Sequence, residues 1–95
     1  MTTRQDAEAL AISALAYLAG DPALLPRFLA LTGIEAHQIR QAAREPGFLA
    51  GVLRFILAHE PTLAAFAEQA GIAPAAVGAA LKALPTGDDD YLAST

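Results

Sequence analysis

Proline and glycine cut this chain into short pieces, and that division limits the fold more than any other feature. Prolines stand at Pro22, Pro26, Pro46, Pro61, Pro74 and Pro85, and glycines at Gly20, Gly33, Gly47, Gly51, Gly71, Gly78 and Gly87. Between them Ala and Leu dominate, β-branched residues are few and no two-residue alternation persists, so the pieces read as helices and not strands. Proline is tolerated in a first helical turn but not in an interior, and glycine closes helices by taking the left-handed conformation. On this punctuation Thr2 or Thr3 caps a first helix that Gly20, Asp21 and Pro22 end. A second begins as a loose turn at Asp21, becomes regular near Leu25 because Pro26 cannot lie deep in a helix, and stops at Gly33. A third runs from about Glu35 to Arg44. Pro46 opens a fourth that ends near His59, Pro61 a fifth that stops at Gly71, and Pro74 a sixth that stops near Leu84. The expected fold is all-α, a compact six-helix bundle forming one domain over residues 1–85. A flexible acidic tail over residues 86–95 follows it.

The pieces also echo one another. LAGDPAL, Leu18 to Leu24, returns 39 positions later as LAHEPTL, Leu57 to Leu63. Matches of Ala and Leu carry little weight in so Ala- and Leu-rich a chain, but rarer residues coincide as well. Asp21 and Pro22 face Glu60 and Pro61. After one deleted residue beside Pro26, Phe28, Gly33, Ile34, Ile39 and Arg44 face Phe66, Gly71, Ile72, Val77 and Lys82. The pattern describes two related three-helix units, at about 4–44 and 46–84. Arrays with such periods generally need three or more repeats to bury a continuous core, so two units are expected to close on each other.

In each unit the leading helix is apolar on nearly every side: Ala9 to Ala19 is interrupted by Ser13, and Phe48 to Ala58 by Gly51 and Arg54. A helix of that kind belongs at the centre of a protein or in an interface, which makes these two the expected hub. Outer faces left uncovered in so small a domain would favour a homodimer. The longest apolar run is well short of the roughly 20 residues that cross a bilayer, and no membrane role is expected. MTTRQDAEAL lacks the basic start of a signal peptide, and the chain has no cysteine; both fit a cytoplasmic protein.

The second unit contains FAEQAGIAPAAVGAALKAL, Phe66 to Leu84, with the spacing of a helix-turn-helix: small Ala67 at the crossing, Gly71 at the turn, and Ile72, Val77 and Ala80 pointing inward. Its outward positions, Ala73, Pro74, Ala75, Gly78, Ala79 and Lys82, cannot read base edges. The first unit has the converse: Glu35, Ala36, His37, Arg40, Gln41 and Arg44 face outward, but Leu29 stands where a tight crossing wants a small residue. His37, Arg40, Gln41 and Arg44 are therefore the candidate interaction surface. A formal net charge of −4 argues against nucleic acid, since such affinity comes mostly from Lys and Arg meeting phosphates. The charge is uneven, however: Pro26 to Ala58 holds four Arg against two Glu, a local +2 between acidic ends. Nucleic acid thus stays as the alternative partner.

Other chemistry is sparse. His37 and His59 lack the i+3 or i+4 partners of a zinc site, Ser13 and Ser94 belong to no triad, and the glycines are scattered singly at helix ends or packing points, with no phosphate-cradling loop. No enzyme, metal or cofactor is expected. Phe28, Phe48, Phe55 and Phe66 read as core. Asp88, Asp89 and Asp90, followed by Tyr91 and Leu92, form either a solvated tail or a short partner-binding segment, with acids to steer and two apolar anchors.

The stretch from AEALAISALAYLAGDPALLPRFLALTGI through REPGFLAGVLRFILAHEPTLAAFAEQAGIAP, with RFLALTGI, PGFLAGVL and HEPTL as its marks, resembles a family of small helical proteins of alphaproteobacteria catalogued as a domain of unknown function. The resemblance covers about Ala7 to Leu84. It implies a small cytosolic all-helical protein and supplies no activity, cofactor or catalytic residue. The function expected is a non-enzymatic protein–protein interaction module that binds a partner protein or itself, with a helix-turn-helix-like nucleic-acid regulator using residues 35–44 as the alternative.

Overall fold

A computed structural model describes residues 3–45 and 47–84; the predicted acidic tail lies outside the described residues. The described chain is six helices in the order α1 (Arg4–Ala19), α2 (Leu24–Thr32), α3 (Ile39–Ala42), α4 (Phe48–Leu57), α5 (Glu60–Ala70) and α6 (Pro74–Ala83), with a 3₁₀ turn, Ala36–Gln38, before α3. Among the described residues there is no strand.

Local chemistry accounts for the ends. Thr3 opens α1 with a capping box: the Asp6 N–H donates to Thr3 Oγ1 at 3.1 Å, and the Thr3 N–H donates back to Asp6 Oδ2 at 3.4 Å. Asp21 opens α2 from outside the helix, its Oδ1 accepting from the N–H of Ala23 at 2.8 Å and of Leu24 at 3.1 Å. Pro26 then falls in the first turn of α2, where its missing N–H costs nothing. Glu60 and Pro61 are the first two residues of α5. Gly33 and Gly71 close α2 and α5 with φ of 75° and 71°. The second is a Schellman motif, with Gly71 N–H donating to Glu68 O at 3.2 Å and Ile72 N–H to Ala67 O at 3.0 Å. The first is the simpler left-handed cap, a single Gly33 N–H to Leu29 O bond of 2.9 Å.

The two corners that share a sequence also share a shape: the chain turns by 113° between α1 and α2 and by 110° between α4 and α5. The helices themselves differ: α1 has 16 residues against 10 in α4, and the third helices diverge further. The helix expected over residues 35–44 is a 3₁₀ turn followed by four α-helical residues, whereas α6 is ten regular residues. The physical reason lies in the segment itself. The Glu35 N–H donates to Gln38 Oε1 at 3.0 Å, which tightens the entry, and few apolar side chains follow at helical spacing to hold a longer helix on the core.

The hub expectation holds for α4, whose apolar side chains are all buried or half-buried, and for one face of α1. Helix α1 packs along both α4 and α6, and α4 also contacts α5 and α6. On α4, Ala50, Val52, Leu53 and Ile56 have no exposed surface. On α1 the inward face is Ala7, Ala11, Ala14 and Leu18, all fully buried, and three alanines in four positions let its neighbours approach closely. The opposite face of α1, Ala9, Ile12, Ser13 and Ala16, is exposed, with Ile12 at 58%. The phenylalanines are structural. Phe28 meets Phe48 and Phe55 edge-on, with centroids at 5.9 and 5.4 Å, tying α2 to α4; Phe66 on α5 meets Tyr17 on α1 at 5.5 Å. Among the described residues no helix is long and apolar enough to cross a membrane.

Candidate functional site

Residues 36–43 lie against the outer flank of α1 without closing onto it. Ile39, Ala42 and Ala43 are half-buried there, and between them and Leu15 of α1 runs an open groove of about 590 Å³. Its floor is apolar, made by Leu15, Ala36, Ile39 and Ala43, and its polar rim is His37 and Arg40. The shape follows from the short helix. A 3₁₀ turn and one α turn present only Ile39, Ala42 and Ala43 toward the core, each half-buried, so the rest of the segment stands off.

All four sequence-predicted surface residues, His37, Arg40, Gln41 and Arg44, are exposed. His37 and Arg40 come together on the groove; Gln41 and Arg44 lie on the same segment outside it. His37 Nδ1 is 3.3 Å from Glu35 Oε2, a contact with both side chains about three-quarters exposed and so of small energetic weight. Among the described residues Arg40 and Arg44 form no ion pair. Leu15, which supplies the α1 side of the floor, was not singled out in the sequence, where it is one more leucine in an apolar run.

A second, smaller groove of about 130 Å³ lies at the α2, α4 and α5 corner, lined by Leu24, Leu31 and Phe55 with Arg27 and His59 at its edge. There Leu31 is 72% exposed. His59 Nδ1 and the hydroxyl of buried Thr62 are hydrogen-bonded at 2.7 Å, which holds the ring against the first turn of α5. Among the described residues no three His, Asp or Glu side chains gather where they could hold a metal ion, and every buried side-chain polar atom has a hydrogen-bond partner. The first groove has no hydroxyl or thiol in its lining, and the second sets the Thr62 hydroxyl, itself buried, beside the His59 imidazole.

The family described as "Protein of unknown function (DUF3572)" matches the chain over residues 4–87, a span that includes all six helices and both grooves. The chain belongs to the DUF3572 family. No curated protein and no solved structure matches it. For this DUF3572 chain the site therefore has to be read from its own residues: an apolar trough on α1 and α3, cationic at the rim, on the least regular helical segment of the fold.

Proposed function

We propose that this DUF3572 protein is a non-enzymatic interaction module that binds a protein segment in the groove between α1 and α3. One observation carries the reading: Leu15, Ile39 and Ala43 offer apolar contact, while His37 and Arg40 stand exposed beside them. That combination suits a peptide with apolar anchors and acidic flanks, because burial supplies affinity, the Arg40 charge sets orientation and the His37 ring offers a hydrogen bond. The exposed Ile12 and Leu31 support self-association as the variant in which the partner is a second copy. A bacterial cytoplasm, implied by the resemblance and compatible with a cysteine-free chain, completes the reading.

The test is affinity capture with the full chain as bait, run beside an Arg40→Glu variant whose fold is checked by circular dichroism. Arg40 is exposed, so the substitution leaves packing alone. A partner retained by the wild type and lost by Arg40→Glu is the expected result. A chain that sediments as a monomer, with no partner whose retention depends on Arg40, would overturn the proposal.

The nucleic-acid alternative draws support from the exposed Arg40, Gln41 and Arg44 on one short segment after the Gly33 turn. Against it stands the length of that segment, since seven residues of mixed 3₁₀ and α-helix place few side chains at once in a major groove. Arg40→Ala with Arg44→Ala would abolish such binding, and its absence even at low salt would remove the idea.

A further inference from the structure

The groove's chemistry has a counterpart within the chain. Asp88, Asp89 and Asp90 precede Tyr91 and Leu92, a run of three acids followed by an aromatic and an aliphatic side chain. The groove presents complementary groups, the Arg40 guanidinium and the His37 imidazole beside an apolar floor, within a stretch of the chain whose local charge is +2 with histidine counted neutral. We propose that Asp88–Leu92 of the same chain docks in the α1–α3 groove, its carboxylates toward Arg40 and His37 and its Tyr91 and Leu92 over Leu15 and Ile39, so that an outside partner must displace it. This rests on the reading of the groove as a peptide-binding surface and names the chemistry of what it accepts: an acidic segment with adjoining aromatic and aliphatic anchors.

Reach allows it. Leu84 shares the buried cluster with Ala7, Ala11, Ala14 and Leu18 of α1, and α6 runs against α1. Leu15 lies eleven residues from Arg4 and four from Ala19, hence about 17 and 6 Å along the axis from the two ends of α1. With helix axes about 8–10 Å apart, the separation from Leu84 to Leu15 is on the order of 20 Å. The seven residues from Leu84 to Tyr91 span about 23–25 Å when extended. A segment tethered at that distance has an effective concentration of the order of millimolar, so even weak complementarity fills the groove in preference to a dilute competitor.

The chain has no cysteine, so Ser94→Cys creates a unique attachment point for a nitroxide on the full-length protein. The readout is paramagnetic loss of amide NMR intensity, oxidised against reduced label. The expected result is selective loss at Leu15, Ala36, Ile39, Arg40 and Ala43. That loss should disappear in the Asp88→Asn, Asp89→Asn, Asp90→Asn variant, return in the corresponding Asp→Glu variant, and fade at about 1 M salt, where the screening length is about 3 Å. Losses centred elsewhere, or none above background, overturn the proposal. So do losses seen only when labelled chains are mixed with separate isotope-enriched ones, since the segment would then belong to a second copy. If the tail leaves the groove untouched while a captured partner still depends on Arg40, the tail proposal fails and the interaction reading stands. If the tail docks and no partner is found, the reverse holds.

Discussion

Four glycines allow the backbone account to be tested with one kind of substitution and two opposite signs. Gly33 and Gly71 have φ of 75° and 71°, and a Cβ built at either meets no atom within 4 Å. Alanine there is resisted by the backbone alone, because the left-handed conformation costs an L-residue about 1–2 kcal/mol. The lower entropy of the unfolded alanine chain, worth about 0.4–1 kcal/mol at a compatible site, offsets part of that cost without cancelling it. Gly51 and Gly78 lie within α4 and α6, and a Cβ at either also meets nothing within 4 Å. They are not close-packing points, contrary to what their helical positions suggest in the sequence, and alanine should stabilise each by about 0.5–1 kcal/mol. For a domain of this size 1 kcal/mol shifts Tm by roughly 4–8 °C. Urea unfolding followed by far-UV circular dichroism should therefore order the variants as Gly51→Ala and Gly78→Ala above wild type, with Gly33→Ala and Gly71→Ala below. Gly71→Asn should recover part of the loss, because asparagine tolerates the left-handed region. A neutral Gly71→Ala would refute the assigned cap, and a destabilising Gly51→Ala would mean that α4 has a neighbour close above that glycine.

Ile56→Ala should cost about 2–4 kcal/mol in the same assay, since Ile56 is fully buried on the central helix; a cost under about 1 kcal/mol would remove α4 from the centre of the core. Thr3→Ala deletes the acceptor for the Asp6 N–H and should cost about 1 kcal/mol, with the loss confined to amide exchange in the first turn of α1 if the helix frays locally. Ile12→Ser should change the stability of the monomer by no more than about 0.5 kcal/mol, Ile12 being mostly solvent-facing. A larger loss that grows with protein concentration would show that a second copy covers it.

Most of the fold was legible because its boundaries are local. Each of Gly33, Gly71, Pro61 and Pro74 acts within one turn of where it stands, so helix ends read from the sequence fall within a residue or two of the observed ones everywhere but in the 35–44 segment. Two features were not local. The buried face of α1 is Ala7, Ala11 and Ala14, and its exposed face holds Ala9 and Ala16. With the same residue on both sides, periodicity cannot tell inside from outside, and only the packing of α4 and α6 decides it. The groove was half legible for the same reason. His37 and Arg40 are conspicuous as polar residues in an apolar chain, whereas Leu15 joins them only through tertiary contact across more than twenty residues.

The contrast between α3 and α6 accounts for the groove beside α3. By the sequence correspondence Ile39 matches Val77 and Ala42 matches Ala80, yet Val77 and Ala80 are fully buried while Ile39 and Ala42 are half-exposed. The residues are of similar character, so hydrophobicity does not account for the difference. What differs is their setting. Helix α6 starts with Pro74 already in helical geometry and carries Ala and Gly outward, so nothing hinders its lying flat on α1 and α4. The 36–42 segment starts from the tight Glu35 to Gln38 turn and carries His37, Arg40 and Gln41, whose polar ends would lose hydration if the segment closed down on α1. Closure is opposed by the same side chains that rim the groove. The 36–43 segment therefore stays open because it is polar, and being open it leaves the apolar floor of Leu15, Ile39 and Ala43 accessible.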